Sequence, residues 1–443
     1  MDRRLFALLL GAALVAISVG PAPGSNDPPR LKAGPAVYDA LATGPTVRVL
    51  VALREPRADG RDLTERLAEV EAAQGNVLAA LGPSDFRLSQ RWDSISALAG
   101  DVSASGLAKL VADPGVLRID VDVPIHTALA QSVPMIRADE VHNAGFTGRG
   151  VVVAVLDTGV DETHPDLSSS LIAEQCFCTG CCPNGSSEQS GSGAARDENG
   201  HGTNVTGIIT GDGKVAPVGV APDADIVAIR VLDKNGGGDS TQLVSGFDYV
   251  LKSRPEVKVV NLSLGSSNLF SGTCDNSASF TAAFAQAINA LKARGTITFA
   301  SSLNNGSSSQ IGVPACISSA VAVGAVYDSD AGTVSFGCTD ATTRADQVPC
   351  FSNSSSKVDL LAPGAAITSA GIGGGISTYL GTSQACPHAA GAAALLLSAR
   401  PGMSPDDVEN TLKSTGVPIT DPRNGLTFKR IDIKAALTSV GAL

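Results

Sequence analysis

Aromatic residues make up only 4% of the 443-residue chain, with a single tryptophan, and charged residues only 17%. Hydrophobic residues reach 43%. That balance excludes general disorder and allows a large core. With 48 glycines and few rings, the composition suits tight turns and closely packed small residues, and the bulk reads as folded α/β protein. Basic residues are the minority, giving a net charge of −11. Such a chain is poorly suited to gripping phosphate backbones or anionic lipid by bulk electrostatics, so no nucleic-acid partner is expected. The acidity is uneven, −2 over residues 1–129 and −9 over the remaining 314. Past the N-terminus no stretch has 18 uninterrupted apolar residues, so no later spanning helix is expected. No cysteine precedes Cys176, which excludes a lipid-modified cysteine near the start.

What is present begins with an export signal. Arg3 and Arg4 precede the apolar run Leu5–Val19, and Gly20, Pro21, Ala22, Pro23 and Gly24 follow. A short positive end, an apolar stretch and small residues describe a signal peptide over residues 1–24. The run falls short of the roughly 20 residues that a spanning helix needs. A secreted protein, extracellular or periplasmic, with no membrane anchor after signal removal, is expected. Residues 25–129 then carry the pattern of a small α+β domain. Val47–Leu53, Phe86–Trp92, Ile95–Ala99 and Val116–Val123 read as strands, while Leu63–Leu81 and Ser103–Ala112 read as helices. The order β-α-β-β-α-β is ferredoxin-like.

From Gly148 the chain becomes chemically informative. Val151–Leu156 is a continuous apolar, β-branched run, as expected of a strand buried on both faces of a parallel sheet. It ends in Asp157-Thr158-Gly159, where α/β sheets place ligands and catalysts. Aspartic proteases use the same tripeptide but need two copies, and only one exists here. Asn199-Gly200-His201-Gly202-Thr203 leads into a helix. The chain has five histidines, of which His126, His142 and His164 sit in the leader, a turn and a loop. His201 and His388 remain as candidates for a general base. Gly381-Thr382-Ser383-Gln384-Ala385-Cys386-Pro387-His388 opens an apolar helix, Ala389–Ala399. A serine at a helix N-terminus has backbone N–H groups nearby to meet developing negative charge. It still requires an adjacent base held by a third group.

The segments AVLDTGVDETHPDL, GHGTNVTGI and GTSQACPHAAGAAALL, in this order, resemble the subtilisin-like serine proteases, or subtilases. The resemblance spans roughly residues 131–437 and, more weakly, the leader. It implies a doubly wound, mostly parallel α/β peptidase domain over residues 130–443, preceded by a ferredoxin-like propeptide over 25–129. It implies Ser383 as nucleophile, His201 as base and acid, and Asp157 orienting the imidazole, with His388 a supporting helix residue. Asn304 matches the asparagine that meets the oxyanion, with Asn305 its neighbouring alternative. Leu303 departs from the family, which usually has glycine there. That position borders the primary specificity pocket, so small or medium apolar side chains are expected before the cleaved bond. Ser263-Leu264-Gly265 and Gly236-Gly237-Gly238 match the two edges that pair with an extended peptide. The triple glycine read alone is a flexible turn.

By the same resemblance the propeptide assists folding, blocks the cleft as an intramolecular inhibitor, and is removed near Ala128–Pro134, with self-cleavage expected after Leu129. The activity implied is secreted serine endopeptidase hydrolysis of polypeptides through an acyl-enzyme, by a monomer, with no cofactor for the chemistry. The alternatives are a degenerate subtilase that acts as a binding protein, an esterase-dominant hydrolase, and an independent inhibitory role for the leader after its release.

Nine cysteines in an exported chain imply four disulfides and one free thiol. Cys386 is the expected leftover, and Cys338 and Cys350 are an expected pair. Cys274 and Cys316 are paired because the family brings their regions to one pocket. Cys176, Cys178, Cys181 and Cys182 form two local disulfides of open connectivity, with zinc as the alternative. Calcium commonly stabilises this family. Gln131 and Asp166 match two ligand positions, but the loop Gly211-Asp212-Gly213-Lys214 is short and places a lysine where a ligand is expected. Six or more oxygens are needed, and structural calcium stays open.

Overall fold

The computed structural model describes residues 32–54, 63–93, 95–121 and 129–443; the expected signal peptide and His126 lie outside these residues. The chain divides into two compact units, Met1–Ile125 and His126–Leu443. In the first, strands β1 (Thr46–Leu53), β2 (Phe86–Arg91), β3 (Ala97–Ser103) and β4 (Val116–Val121) form an antiparallel sheet ordered β2-β3-β1-β4. Helices Leu63–Ala79 and Ala104–Ala112 complete the ferredoxin-like order, and a further helix, Pro35–Thr43, precedes them. Strand β3 runs past the expected Ile95–Ala99 because Gly100 and Asp101 interrupt the apolar alternation without interrupting the pairing. A Cβ on Gly100 would lie 2.5 Å from the Arg87 carbonyl oxygen, so only glycine fits. Ser103 ends the strand and caps the next helix, its Oγ accepting from the Gly106 amide at 3.2 Å.

The second unit is built on one ten-stranded sheet. In chain order its strands are β5 (Val152–Asp157), β6 (Leu171–Phe177), β7 (Glu188–Ser190), β8 (Asp225–Arg230), β9 (Val257–Leu262), β10 (Ile297–Ser301), β11 (Val321–Tyr327), β12 (Leu360–Ala365), β13 (Val417–Thr420) and β14 (Thr427–Arg430). Their spatial order is β13-β14-β12-β11-β10-β9-β5-β8-β6-β7. Pairing is parallel except at the two edges, β6–β7 and β13–β14. Every residue of β5 is buried. Val153 and Val155 point into one core, together with helices His201–Thr210 and Thr382–Ala399. Val152, Ala154 and Leu156 point into the other, with Leu243, Phe247, Phe284 and Ile288 from helices Ser240–Ser253 and Ser279–Ala293. Two cores on opposite faces of one sheet are the doubly wound architecture. The continuous apolar run of β5 follows from this, because neither face meets water.

The chain leaves β5 in one direction through β6 and β8 and in the other through β9 to β12. That reversal makes the carboxyl end of β5 and β9 the crevice where such sheets bind ligands. Helix Thr382–Ala399 is buried almost all round, from Gln384 to Leu397, which accounts for its lack of a polar stripe. Among the described residues no helix is long and apolar enough to cross a membrane.

Candidate active site

Asp157 ends β5 and is fully buried. Its Oδ1 accepts the Thr158 amide at 2.7 Å and the His201 Nδ1–H at 2.7 Å. The imidazole sits at the first position of its helix because the preceding loop is tied down. Gly200 takes the left-handed φ of 102°, open to glycine at no steric cost. The Asp197 carboxylate accepts the amides of Asn199, Gly200 and Thr203 and the Thr203 hydroxyl at 2.6–3.0 Å. Asp197 was not singled out by sequence. Its only signal there is an acidic residue just ahead of a helix start. Burial works against the charged form of His201. The charge and hydrogen bond of Asp157 outweigh it, the charge of Asp197 adds to them, and the ring is held above its ordinary pKa.

Ser383 lies in the first turn of helix Thr382–Ala399. Pro387 has no amide hydrogen, which leaves the Ser383 carbonyl without its partner four residues on. The Ser263 hydroxyl donates to that carbonyl at 2.8 Å, and the Ser383 hydroxyl donates to the Ser263 carbonyl at 3.1 Å. The reciprocal pair fixes the end of β9 against the start of the helix. Among the described residues no hydrogen bond joins Ser383 Oγ to His201, so rotation about χ1 is needed to bring them together. Catalytic hydrogen bonds commonly tighten only when substrate binds.

Asn304 and Asn305, adjacent in sequence, face different ways. Asn304 Oδ1 accepts the amide and hydroxyl of Thr382 at 2.9 and 3.0 Å, and its Nδ2 would lie 3.0 Å from a Cβ on Gly381, two residues before Ser383. Asn305 pairs with Asn353, whose carboxamide also holds the Ser302 carbonyl and the Ser307 amide. Leu303 adopts a φ of 72°, a left-handed conformation that suits glycine and strains leucine. Its Cδ1 would lie 2.2 Å from a Cβ on Gly312, and its two methyls 2.9 and 3.0 Å from one on Gly265.

His201, Ser383, Ser263, Leu264, Gly265, Gly236, Gly237, Gly238 and Leu303 line one cavity of about 590 Å³. Phe280 and Phe284 line it too and were missed, although their spacing of four puts both rings on one helix face. The triple glycine is a hydrogen-bonded turn rather than a flexible one. Asp233 Oδ1 accepts the Gly237 amide at 2.9 Å, and the Asp233 amide donates to the Gly237 carbonyl at 2.7 Å. His388 does not line the cavity. Its ring bridges the Gln384 carbonyl and Ser132 Oγ, and burial pushes its pKa down to about 4. His142 and His164 each bond a backbone carbonyl.

Cysteines pair as Cys176–Cys182, Cys178–Cys181, Cys274–Cys316 and Cys338–Cys350, and Cys386 is free and buried. Burial pushes its thiol well above the ordinary value, so Cys386 packs as a neutral group.

The expected calcium position does not fit a cation. Asp166 is fully buried. Its Oδ1 accepts the amides of Lys214 (2.7 Å) and Val215 (2.9 Å), and its Oδ2 accepts that of Ala216 (2.7 Å). The Lys214 ammonium donates to the Pro165 carbonyl at 3.1 Å and pairs with Asp212 at 2.5 Å. Three amides and a lysine thus meet the oxygens that a hard cation would need. Burial raises the Asp166 pKa, but these donors outweigh it and hold the carboxyl below the ordinary range. Among the described residues no group of three or more His, Cys, Asp or Glu could hold a metal. Any response of the unfolding temperature to EDTA should therefore be the same in the wild type and in Asp166→Asn. Asp166→Asn, which strands N–H donors, should cost about 1–3 kcal/mol in denaturant unfolding. An EDTA response that is present in the wild type and lost in Asp166→Asn would overturn this account.

The Subtilase family profile matches residues 148–431. An alkaline protease of Alkalihalobacillus alcalophilus is 33% identical over 359 residues, covering 80% of this chain and 83% of that protein. Subtilisin E of Bacillus subtilis (strain 168) is 32% identical over 341 residues, covering 74% and 77%. The crystal structure of a cold-adapted subtilisin-like serine proteinase aligns with a TM-score of 0.50 at 30% identity, over 64% of this chain and 89% of its own. With its doubly wound sheet and its profile match through nearly the whole second unit, the chain belongs to the subtilase family and is a subtilisin-like serine endopeptidase.

Proposed function

We propose that the enzyme is exported by residues 1–24, removes its own leader (25–129) and hydrolyses extended polypeptides through Asp157, His201 and Ser383. The observation that carries this reading is the 2.7 Å bond from His201 Nδ1 to the buried Asp157 carboxylate, beside a cavity that Ser383 also lines. Held in that tautomer, the imidazole keeps Nε2 free to accept a proton. Ser383 Oγ rotates from Ser263, attacks the scissile carbonyl carbon and passes its proton to His201 Nε2. The oxyanion is met by the Asn304 Nδ2 and by backbone N–H at the helix start. One such donor contributes about 100–1,000-fold in turnover, a magnitude known from subtilisin. Collapse breaks the C–N bond, and His201 returns the proton to the leaving amine. Water then attacks the acyl-enzyme, with His201 again as base, and releases Ser383. The leader acts as an intramolecular inhibitor until it is cut away near Leu129, which begins the helix Leu129–Met135.

A serine-directed fluorophosphonate should label Ser383 in the wild type, as read by peptide mass spectrometry. Ser383→Ala should accumulate with its leader attached. A folded, mature wild type that takes no label would instead make the protein a binding-only member of the family.

The pH profile follows from the upward shift of His201. Activity requires the neutral ring, so it is lost as pH falls through the His201 pKa. The acid limb of kcat/KM should lie above the ordinary imidazole value of about 6.5. Asp157→Asn should move that limb down and cut kcat about 10,000-fold. An acid limb at or below 6.5 in the wild type would contradict the pairing.

Leu303 narrows the pocket before the cleaved bond, since its methyls crowd Gly265 and Gly312. Wild type should favour small or medium apolar side chains there. Leu303→Gly should raise kcat/KM for Phe or Tyr at that position by about tenfold or more. A peptide panel in which wild type already prefers Phe or Tyr would refute the role.

A further inference from the structure

The hairpin between β6 and β7 carries a feature that the chemistry above leaves unused. Its loop is closed by two nested disulfides, Cys176–Cys182 outside and Cys178–Cys181 inside. Cys176, Cys178 and Cys182 are buried together as a small core of their own. The ladder across the loop is short and local: the Cys178 amide donates to the Ser187 carbonyl and the Cys182 amide to the Ser186 carbonyl, both at 3.1 Å. At the tip stands Thr179, an exposed residue in the inner ring.

Thr179 nevertheless has a long-range partner. Its Oγ1 accepts from Gln242 Nε2 at 3.1 Å. Gln242 lies in the first turn of helix Ser240–Ser253 and is largely buried. The other end of the same carboxamide, Oε1, accepts the Asp239 amide at 2.9 Å. Asp239 directly follows Gly238, the last residue of the glycine edge, and both line the cavity. Gly238 itself is pressed into place: a Cβ there would lie 2.6 Å from the Val231 carbonyl oxygen and 2.8 Å from Gln242 Oε1. One carboxamide therefore joins the cystine loop to the end of the glycine edge. A second contact seats the hairpin on the same helix, Phe177 meeting Tyr249 edge to face at 6.0 Å.

A hydrogen bond to an exposed threonine on a free loop would contribute little, because ordering the loop costs comparable free energy. Two cross-links within seven residues remove most of that cost in advance. We propose that Thr179 and Gln242 are positioning residues for the edge Gly236–Gly238, with the cystine loop as its outer brace, and that they act selectively on extended peptides long enough to reach that edge. This rests on reading Gly236–Gly238 as a substrate-pairing segment, as the proposed function does.

The test compares two anilides with the same leaving group and the same residue before the cleaved bond, one a blocked tetrapeptide and one a blocked single residue. In the wild type the tetrapeptide should have the lower KM. Equal KM values would overturn the edge reading and the brace with it. Thr179→Val removes the acceptor with little change of shape, and loss of one hydrogen bond should raise KM for the tetrapeptide about fivefold. Its kcat, and both constants for the single-residue substrate, should be unchanged. Thr179→Ser, which keeps the hydroxyl, should behave as wild type. If the wild type shows the length dependence but Thr179→Val leaves it intact, or shifts both substrates alike, the edge stands and the brace is refuted. Equal effects of the Val and Ser variants would refute it as well.

Discussion

The closeness of helix His201–Thr210 to the end of β5 is the constraint on which the site depends. A Cβ on Gly202 would lie 2.1 Å from the Gly159 carbonyl oxygen and 3.2 Å from the Asp157 Cβ. A Cβ on Gly159 would be equally misplaced, 2.2 Å from the Ala195 carbonyl oxygen. Gly202 lets the helix backbone lie on Gly159, Gly159 lets the Ala195–Asp197 backbone lie on its other side, and the Gly202 amide donates to Thr158 Oγ1 at 2.9 Å. Only at that separation can a short imidazole at the helix start reach a carboxylate at the strand end. A larger residue at Gly202 would push the helix off the end of β5 and open the 2.7 Å bond, and one at Gly159 would displace the Ala195–Asp197 backbone that ties down the loop before His201.

The second half of the site is assembled by a different device. Pro387 leaves a helical carbonyl unpaired, and the Ser263 hydroxyl takes it, so that helix Thr382–Ala399 is registered on the end of β9. Thr382, one residue before Ser383, fixes the Asn304 carboxamide. Three chain segments separated by many tens of residues are locked together by these polar contacts. Buried polar networks of this kind are costly when incomplete and specific when satisfied. Leu303 fits the same frame: the loop geometry around Asn353 demands a left-handed residue, and leucine accepts the strain while its side chain fills space that the glycines beside it leave open.

Asp166 illustrates how one loop can change a stabilising strategy. A buried carboxylate needs positive partners, whether from a cation or from N–H donors. Here the shortened loop after helix His201–Thr210 turns three successive amides onto it, and Lys214 caps the neighbouring Pro165 carbonyl. The lysine that broke the expected ligand pattern in the sequence is part of the replacement.

What the sequence determined by itself was the local and periodic content. An unbroken β-branched run could only be a strand shielded on both faces, and β5 is one. Three short motifs in fixed order named the family, and histidine scarcity reduced the candidates to His201 and His388. The helix after Ser383, the split β-α-β order of the leader and the identity of the free cysteine were equally legible, because each depends on neighbours in the chain or on counting. The family resemblance had already separated His201 from His388, and tertiary structure added their environments, one beside a carboxylate at the cavity and one buried at about pKa 4. It also decided which way Asn304 and Asn305 turn, the nesting of the four clustered cysteines, the anchoring by Asp197 and Asn353, and the present aim of the Ser383 hydroxyl. These are contacts between groups far apart in sequence, settled by which donors and acceptors the folded chain brings within about 3 Å, and no local pattern encodes that meeting.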